Sequence, residues 1–113
     1  MLVSNATTGA RLAERAESAT NHWTRFRGLM LRRDLPEGEG LIIRPCGSIH
    51  MMFMRFPIDA VFFDKEGRVT RVARNVRPWT GMAMGGRGAK GVIELPVGAA
   101  TGVEPGHHLQ FGS

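Results

Sequence analysis

The stretch that decides the fold is IDAVFFDKEGRVTRVARNV, residues 58–76, in which two β-rich runs flank a short turn. The runs IDAVFF and RVTRVARNV are rich in the β-branched and aromatic residues that fit a pleated sheet. Between them, DKEG at 64–67 is typical of a hairpin turn, because Gly67 can adopt the left-handed backbone conformation that closes a short loop. The sequence therefore predicts a β-hairpin here.

Further short strands are predicted on both sides of this hairpin. LIIRP starts a strand-rich region after the loop at 34–40, and VIELP at 92–96 is a short apolar strand. Between the hairpin and VIELP, the glycine-rich stretch 77–91 is predicted as a long loop, with a role in function or mobility. A turn at Pro105 and Gly106 precedes a last short strand.

A single helix is predicted near residues 21–32. Trp23, Phe26 and Met30 recur at spacings of three and four, which places them on one helical face. The rest of the chain is broken by 15 glycines and 6 prolines, which favour strands and loops over long helices. We therefore predict a mainly β (α+β) fold class, a single-domain β-sandwich or barrel-like fold with one short helix.

Length and composition bound the class of protein. At 113 residues there is room for one core, so we predict a flexible N-terminus over 1–10 and one globular domain over 11–113. The single cysteine, Cys46, excludes an internal disulfide and agrees with a reducing compartment. The sequence shows neither a signal-peptide core nor an apolar run long enough to cross a membrane. We therefore predict a cytoplasmic protein.

The charge balance is basic, with 15 Lys and Arg against 10 Asp and Glu, a net charge of +5. Apart from the adjacent pair Arg32 and Arg33, the arginines are scattered singly along the chain, and a dense basic run typical of nucleic-acid binding is absent from the sequence. A solvated basic surface is therefore the favoured interpretation. A protein or RNA interaction domain that uses surface arginines remains an alternative hypothesis.

The candidate functional site is SIHMMFMRFPID, residues 48–59, where methionines crowd around a histidine. In an extended strand, His50, Met52 and Met54 would point to the same side. Methionines beside a histidine can bind a soft ion such as Cu(I). Flexible core filler is nevertheless the favoured role of these methionines.

A zinc site is not expected in this stretch. Cys46 and His50 are four residues apart, which in a straight strand is roughly 13 Å, whereas each zinc ligand lies about 2 Å from the metal. Met82 and Met84 could add thioether ligands for a soft ion, but we predict no metal and no cofactor.

Two carboxylates lie in apolar stretches, Asp59 in PIDAVFF and Glu94 in VIELP. A buried carboxylate requires a partner, and Arg55 and His50 are candidates near Asp59 in sequence. A structural ion pair is the favoured interpretation. The alternative is a small acid–base enzyme that uses His50 with Asp59 or Glu94.

The run RGLMLRRDLPEGEGLIIRPCGSIHMMFMRFPIDAVFFDKEGRVTRV, followed by PW and VIELPVG, resembles the family catalogued as domain of unknown function 192. The resemblance covers roughly residues 11–111 and implies a small β-rich sandwich or barrel-like fold with one short helix. It also implies that 10–19, whose composition alone is helix-forming, is a strand. The late Gly-Asp turn of the family reads Gly106-His107 here.

Because no function is established for this family, the resemblance implies a fold and a set of positions rather than a reaction. The positions that match the family pattern are Arg27, Gly28, Leu29, Met30, Arg32, His50, Met54, Arg55, Pro57, Asp59, Asp64, Gly67, Pro78, Glu94, Leu95 and Gly98.

The function that the sequence favours is a binding module for an unknown small molecule or peptide, with a cleft near the 48–59 strand. Such pockets are apolar with a few placed polar groups. The ligand-binding residues that we predict are His50, Met52, Met54, Arg55 and Trp79. Asp59 and Glu94 would fix polarity, and together with His50 they are the catalytic candidates of the enzyme alternative.

Overall fold

The computed structural model describes residues 1–19, 34–51 and 54–112, and the regular elements in these ranges are ten β-strands. In chain order they are β1 Val3–Asn5, β2 Arg11–Ala13, β3 Arg15–Ala19, β4 Glu39–Ile43, β5 Ser48–His50, β6 Ile58–Phe63, β7 Val69–Val76, β8 Met82–Met84, β9 Gly91–Leu95 and β10 Leu109–Phe111. The mainly β fold class is thereby confirmed. The helix predicted near 21–32 lies outside the described residues.

The strands form three sheets. The largest has five strands in the order β3-β4-β9-β6-β7, a second has the order β10-β1-β2, and β5 pairs with β8 in a two-stranded ribbon. The described strand pairings are antiparallel, apart from β3 with β4, which run parallel. The strand that the sequence marks most strongly, β6, therefore lies inside the largest sheet between β9 and β7.

The predicted hairpin is confirmed as β6 and β7. Gly67 has a φ of 86°, and a side chain there would also press against the carbonyl oxygen of Leu109 at 3.1 Å. The Asp64 carboxylate accepts the backbone N–H groups of Glu66 and Arg68, each at 2.9 Å. The turn is therefore closed by a left-handed glycine and by a carboxylate that satisfies two turn amides.

We expect the hairpin to lose stability on acidification through Asp64. Burial raises the pKa of Asp64, but the backbone N–H groups of Arg68 and Glu66 and the nearby cations Arg68 and His108 together lower it by more, so the pKa lies below the usual value of an aspartate. A carboxyl with a lowered folded-state pKa stabilises the fold at neutral pH, and this contribution is lost as the pH falls below about 4. Chemical denaturation between pH 7 and pH 2 measures it. In Asp64→Asn, where nothing titrates, the part of the acid dependence due to this group should disappear.

Two hydrophobic cores lie on opposite faces of the five-stranded sheet. Along β6, Val61 and Phe63 face the first core with the β10-β1-β2 sheet, while Ala60 and Phe62 face the second core with the β5-β8 ribbon. Both faces of β6 are covered, so all six of its residues are buried. This is why IDAVFF reads as a continuous apolar run rather than an alternating one.

The structure differs from the flexible N-terminus predicted over 1–10. β1 lies between β2 and β10, and Val3 is fully buried in the first core. Three residues give too short a pattern to be recognised as a strand. The backbone partners of β1 include Leu109 and Phe111, which only the folded chain brings near.

The strand that the family resemblance implied within 10–19 is confirmed, as β2 and β3. β3 pairs with β4 along its whole length, and Ala16 is buried in the first core. Helix-forming composition is a weak preference here because the sheet partner and the buried side chain override it.

The predicted loop over 77–91 contains a strand, β8, which the sequence did not indicate. The predicted strand at 92–96 is confirmed as β9, and the last strand as β10. In the described part of the chain, no helix has the length and apolar character that a membrane span requires.

Candidate functional site

The stretch 48–59 is not one extended strand. β5 ends at His50, the N–H of Met54 donates to the Met51 carbonyl at 3.0 Å, and β6 begins only at Ile58. Because of this turn, Met51 and Met54 are both buried in the second core, whereas an extended strand would place them on opposite faces. Met52 and the side chain of His50 lie outside the described part of the structure.

Asp59 is a structural anchor. Its Oδ1 accepts the N–H of Asn75 at 2.9 Å, and its Oδ2 accepts the N–H groups of Gly98 and Ala100 at 3.0 and 3.1 Å. The carboxylate is almost fully buried. It therefore joins β6 to the irregular end of β7, where Asn75 has a φ of 52°, and to the turn after β9. Among the described residues, the partners of Asp59 are backbone amides rather than Arg55, one of the two side chains predicted from the sequence.

Glu94 lies on the other face of the same sheet. In the pairing of β6 with β9, Asp59 is opposite Leu95 of the first core, and Ala60 of the second core is opposite Glu94. Successive residues of a strand point to opposite faces, so the two carboxylates cannot share one site. Of the two, Glu94 is on the side where β5 packs.

Arg55 and Trp79, both predicted to bind a ligand, are exposed, whereas Met54 is buried. Trp79 has a φ of 66°, and its N–H donates to the Met51 carbonyl at 2.8 Å. Of the predicted ligand-binding residues that the structure describes, Met54 is thus a core residue, whereas Arg55 and Trp79 lie at the surface.

A surface that we call the methionine face consists of Trp79, Met82 and Met84. The exposed fractions are 56%, 71% and 56%, while Ala83 between the methionines is buried. Strand alternation therefore places both methionines on the outer side of β8. Trp79 lies three residues before Met82 in the chain, so these exposed apolar side chains form a candidate interaction surface.

Basic residues surround this face in sequence. Residues 67–93 contain no Asp or Glu and six bases, namely Arg68, Arg71, Arg74, Arg77, Arg87 and Lys90. Each of these side chains is exposed. Arg71 reaches from β7 to β8, where its Nη1 donates to the Met84 carbonyl at 3.5 Å. A guanidinium group therefore lies at the edge of the methionine face.

Two clefts lie away from the predicted site. The hairpin cleft, about 220 Å³, is lined by Arg44, Phe63, Asp64, Lys65, Glu66, Gly67, Lys90, Leu109 and Phe111. The loop cleft, about 480 Å³, is lined by Arg11, Leu12, Ala13, Glu14, Glu37, Gly38, Pro96, Val97, Gly98 and Ala99. Sequence reasoning missed both, because each joins residues that are far apart in the chain.

Residues 1–19, 34–51 and 54–112 contain no group of three His, Cys, Asp or Glu side chains arranged to hold a metal ion. The Cys46 thiol donates to the Ser48 carbonyl at 3.1 Å. This geometry gives no ligand set for zinc in the described part of the chain.

Strand order and surface together define a mainly β protein with shallow clefts and an exposed apolar face. Residues 3–111 match the family model DUF192, described as "Uncharacterized ACR, COG1430". The chain belongs to this family, as the sequence resemblance indicated.

Similar proteins support this assignment. A UPF0127 protein of Thermococcus sibiricus is 39% identical over 98 residues, which cover 83% of this chain and 62% of the relative, so the chain spans less than two thirds of that relative. A UPF0127 protein of Thermococcus kodakarensis is 30% identical, over 91% of this chain and 67% of the relative. A crystal structure of a Novosphingobium aromaticivorans protein of unknown function is similar with a TM-score of 0.84 and 26% identity, covering 98% of this chain and 84% of that one.

His107 stands in the turn that the family resemblance implies to read Gly-Asp. Its Nδ1 accepts the N–H of Glu104 at 3.3 Å and lies 2.9 Å from the side-chain amide of buried Asn5. The imidazole nitrogen thus connects this turn to β1.

Proposed function

We propose that this protein is a binding module that docks an acidic, apolar peptide segment of a partner protein on the methionine face. The observation that carries the proposal is the exposure of Trp79, Met82 and Met84 together, beside a stretch of chain that has six bases and no acid. Trp, Met and Arg are the residue types most enriched at protein interfaces.

Charge complementarity favours an acidic partner. Arg71 is in contact with β8, and Arg77 and Arg87 flank the methionine face in sequence. Carboxylates of a partner would meet these guanidinium groups at the rim, while an apolar side chain covers the thioethers. A second copy of this chain would instead bring arginine against arginine, which disfavours self-association through this face.

A peptide fits this surface better than a nucleic acid does. Single-stranded nucleic acids bind to several aromatic side chains in succession, and among the described residues of this face only Trp79 is aromatic. The two methionines offer flexible apolar contact, which suits the side chains of a protein partner.

The test is a selection of peptides from a random display library on the wild-type protein, with counter-selection on a Met82→Ser/Met84→Ser variant. We expect enriched peptides to contain Asp or Glu around one or two large apolar residues. Fluorescence polarisation of a labelled enriched peptide should show at least about tenfold weaker binding to the double variant. Binding to the wild type should also weaken as salt is raised.

The matched control is Val97→Ser, which removes an apolar side chain 49% exposed on the turn after β9. Its affinity for the peptide should stay within about twofold of the wild type. Enrichment without acidic residues, or equal affinity of the double variant, would refute the proposal. Tighter binding of oligouridylate than of any peptide, lost in the double variant, would replace it with a nucleic-acid function.

A further inference from the structure

We propose that the hairpin cleft is a binding site for the phosphate group of a small molecule, with Arg44, Lys65 and Lys90 as its cationic ligands. This site is distinct from the methionine face and does not depend on the function proposed for that face. Its described elements are the end of β4, the start of β9, the β6–β7 turn and β10.

A glycine creates the base of the cleft. Phe63 of β6 is opposite Gly91 of β9, and the register of β4 with β9 brings Arg44 to the other side of Gly91. A Cβ at Gly91 would lie 2.6 Å from the Phe63 ring and 2.9 Å from Cγ of Arg44. The missing side chain therefore lets the arginine cross its neighbouring strand and reach the ring.

Arg44 is preorganised by two aromatic rings. Its guanidinium carbon lies 5.0 Å from the Phe63 ring centroid and 4.5 Å from that of Phe111, and the two centroids are 5.0 Å apart. Such cation–π contacts hold the guanidinium over the ring faces without using its N–H groups as hydrogen-bond donors to another side chain. A stacked arginine has already lost much of its side-chain freedom, which reduces the entropic cost of binding an oxyanion.

The charges of the cleft favour an anion. Lys65 and Lys90 are exposed at its mouth, so together with Arg44 they place three cations against two carboxylates, Asp64 and Glu66. Asp64 already accepts two backbone N–H groups of the turn. Because the Asp64 charge is directed toward the turn amides, the cations of Lys65 and Lys90 are left to contact an anionic ligand.

Size and geometry select the ligand class. A cleft of about 220 Å³ is smaller than most pockets for drug-sized ligands, so a phosphate group with a small substituent suits it. A guanidinium fork matches two oxygens of a phosphate, and lysines add point charges to a third.

The experiment is a titration of ¹⁵N-labelled wild-type protein with inorganic phosphate, at an ionic strength held constant with chloride. We expect saturable chemical-shift changes at Arg44, in the 64–67 turn and at Lys90 and Gly91. Arg44→Met, which keeps an apolar stem and removes the charge, should weaken phosphate binding at least about tenfold. Lys90→Gln should weaken it as well, because it removes a second cation. The fold should be retained, since in the described part of the chain Lys90 takes part in hydrogen bonds through its backbone.

The matched control is Arg11→Met, which removes the same charge from an arginine in the loop cleft. It should change phosphate affinity by less than about twofold. Gly91→Ala tests the cleft without a change of charge, because the added Cβ displaces the Phe63 ring and the Arg44 side chain. The affinity of this variant for phosphate should fall, while its ¹H–¹⁵N spectrum should stay dispersed, as expected of a folded protein. Equal weakening by Arg44→Met and Arg11→Met, non-saturable shifts, or acetate binding as tightly as phosphate would overturn the proposal.

Discussion

Replacing Asp59 with alanine is expected to lower the free energy of unfolding by about 4 kcal/mol, because three backbone N–H groups lose the buried carboxylate that accepts all of them. Those groups belong to Asn75, Gly98 and Ala100. In a domain of this size, the midpoint of thermal unfolding should fall by roughly 15 °C. Differential scanning calorimetry measures both quantities.

Two comparison variants distinguish the loss of the Asp59 hydrogen bonds from a general effect of removing a negative charge. Asp59→Asn keeps the shape and one acceptor but turns an amide NH₂ toward N–H donors, so we expect about half the loss. Glu104→Ala removes an exposed carboxylate and should change stability by less than about 0.5 kcal/mol. A stable Asp59→Ala protein would show that water or neighbouring groups replace the carboxylate.

Replacing Gly81 with alanine is expected to cost about 3 kcal/mol of stability and to disturb the methionine face. A Cβ at this position would lie 2.2 Å from the carbonyl oxygen of Arg77 and 2.8 Å from the backbone nitrogen of Arg77, so the backbone itself must move. The turn 77–81 presents Trp79, and the N–H of Met51 donates to the Gly81 carbonyl at 2.9 Å. Denaturant unfolding measures the cost, and tryptophan fluorescence in a Trp23→Phe background detects the changed surroundings of Trp79.

Gly47→Ala is the matched control for this variant. A Cβ at Gly47 meets nothing closer than the Ala89 carbonyl oxygen at 4.0 Å. Stability should therefore change by less than about 0.5 kcal/mol, and peptide binding on the methionine face should be retained. Equal stability of the two alanine variants would contradict the close packing of the 77–81 turn.

The sequence predicted those strands and turns that are determined by residues close together in the chain. The β6–β7 hairpin and the strand β9 follow from β-branched runs and turn residues that are neighbours in the chain. β1 and β8 were missed because each has three residues and depends on a partner strand from elsewhere. β2 and β3 became predictable only through the family resemblance, since their composition favours a helix.

The site was harder to predict than the fold. For Asp59 an ion pair was the favoured interpretation, whereas its described partners are backbone amides, and a sequence does not reveal which N–H groups a fold leaves for a carboxylate to satisfy. Continuous extension was assumed from Ser48 to Asp59, and the turn at Met51 breaks that alternation. The stacking of Arg44 depends on Gly91 and Phe111, whose proximity follows from strand order rather than from any local pattern.

The pairing of β1 with β10 has a consequence for how the chain acquires its structure. Val3 is opposite Phe111, so the first core closes only when segments from the two ends of the sequence meet. Bringing residues so far apart in the chain together costs conformational entropy before the contacts between them form. Proteins dominated by such long-range strand pairings fold in milliseconds to seconds rather than microseconds. During synthesis on the ribosome, the β6–β7 hairpin can pair early, whereas β1 must wait for Leu109 to emerge. We therefore expect the β6–β7 amides to become protected from hydrogen exchange before those of β1 during refolding.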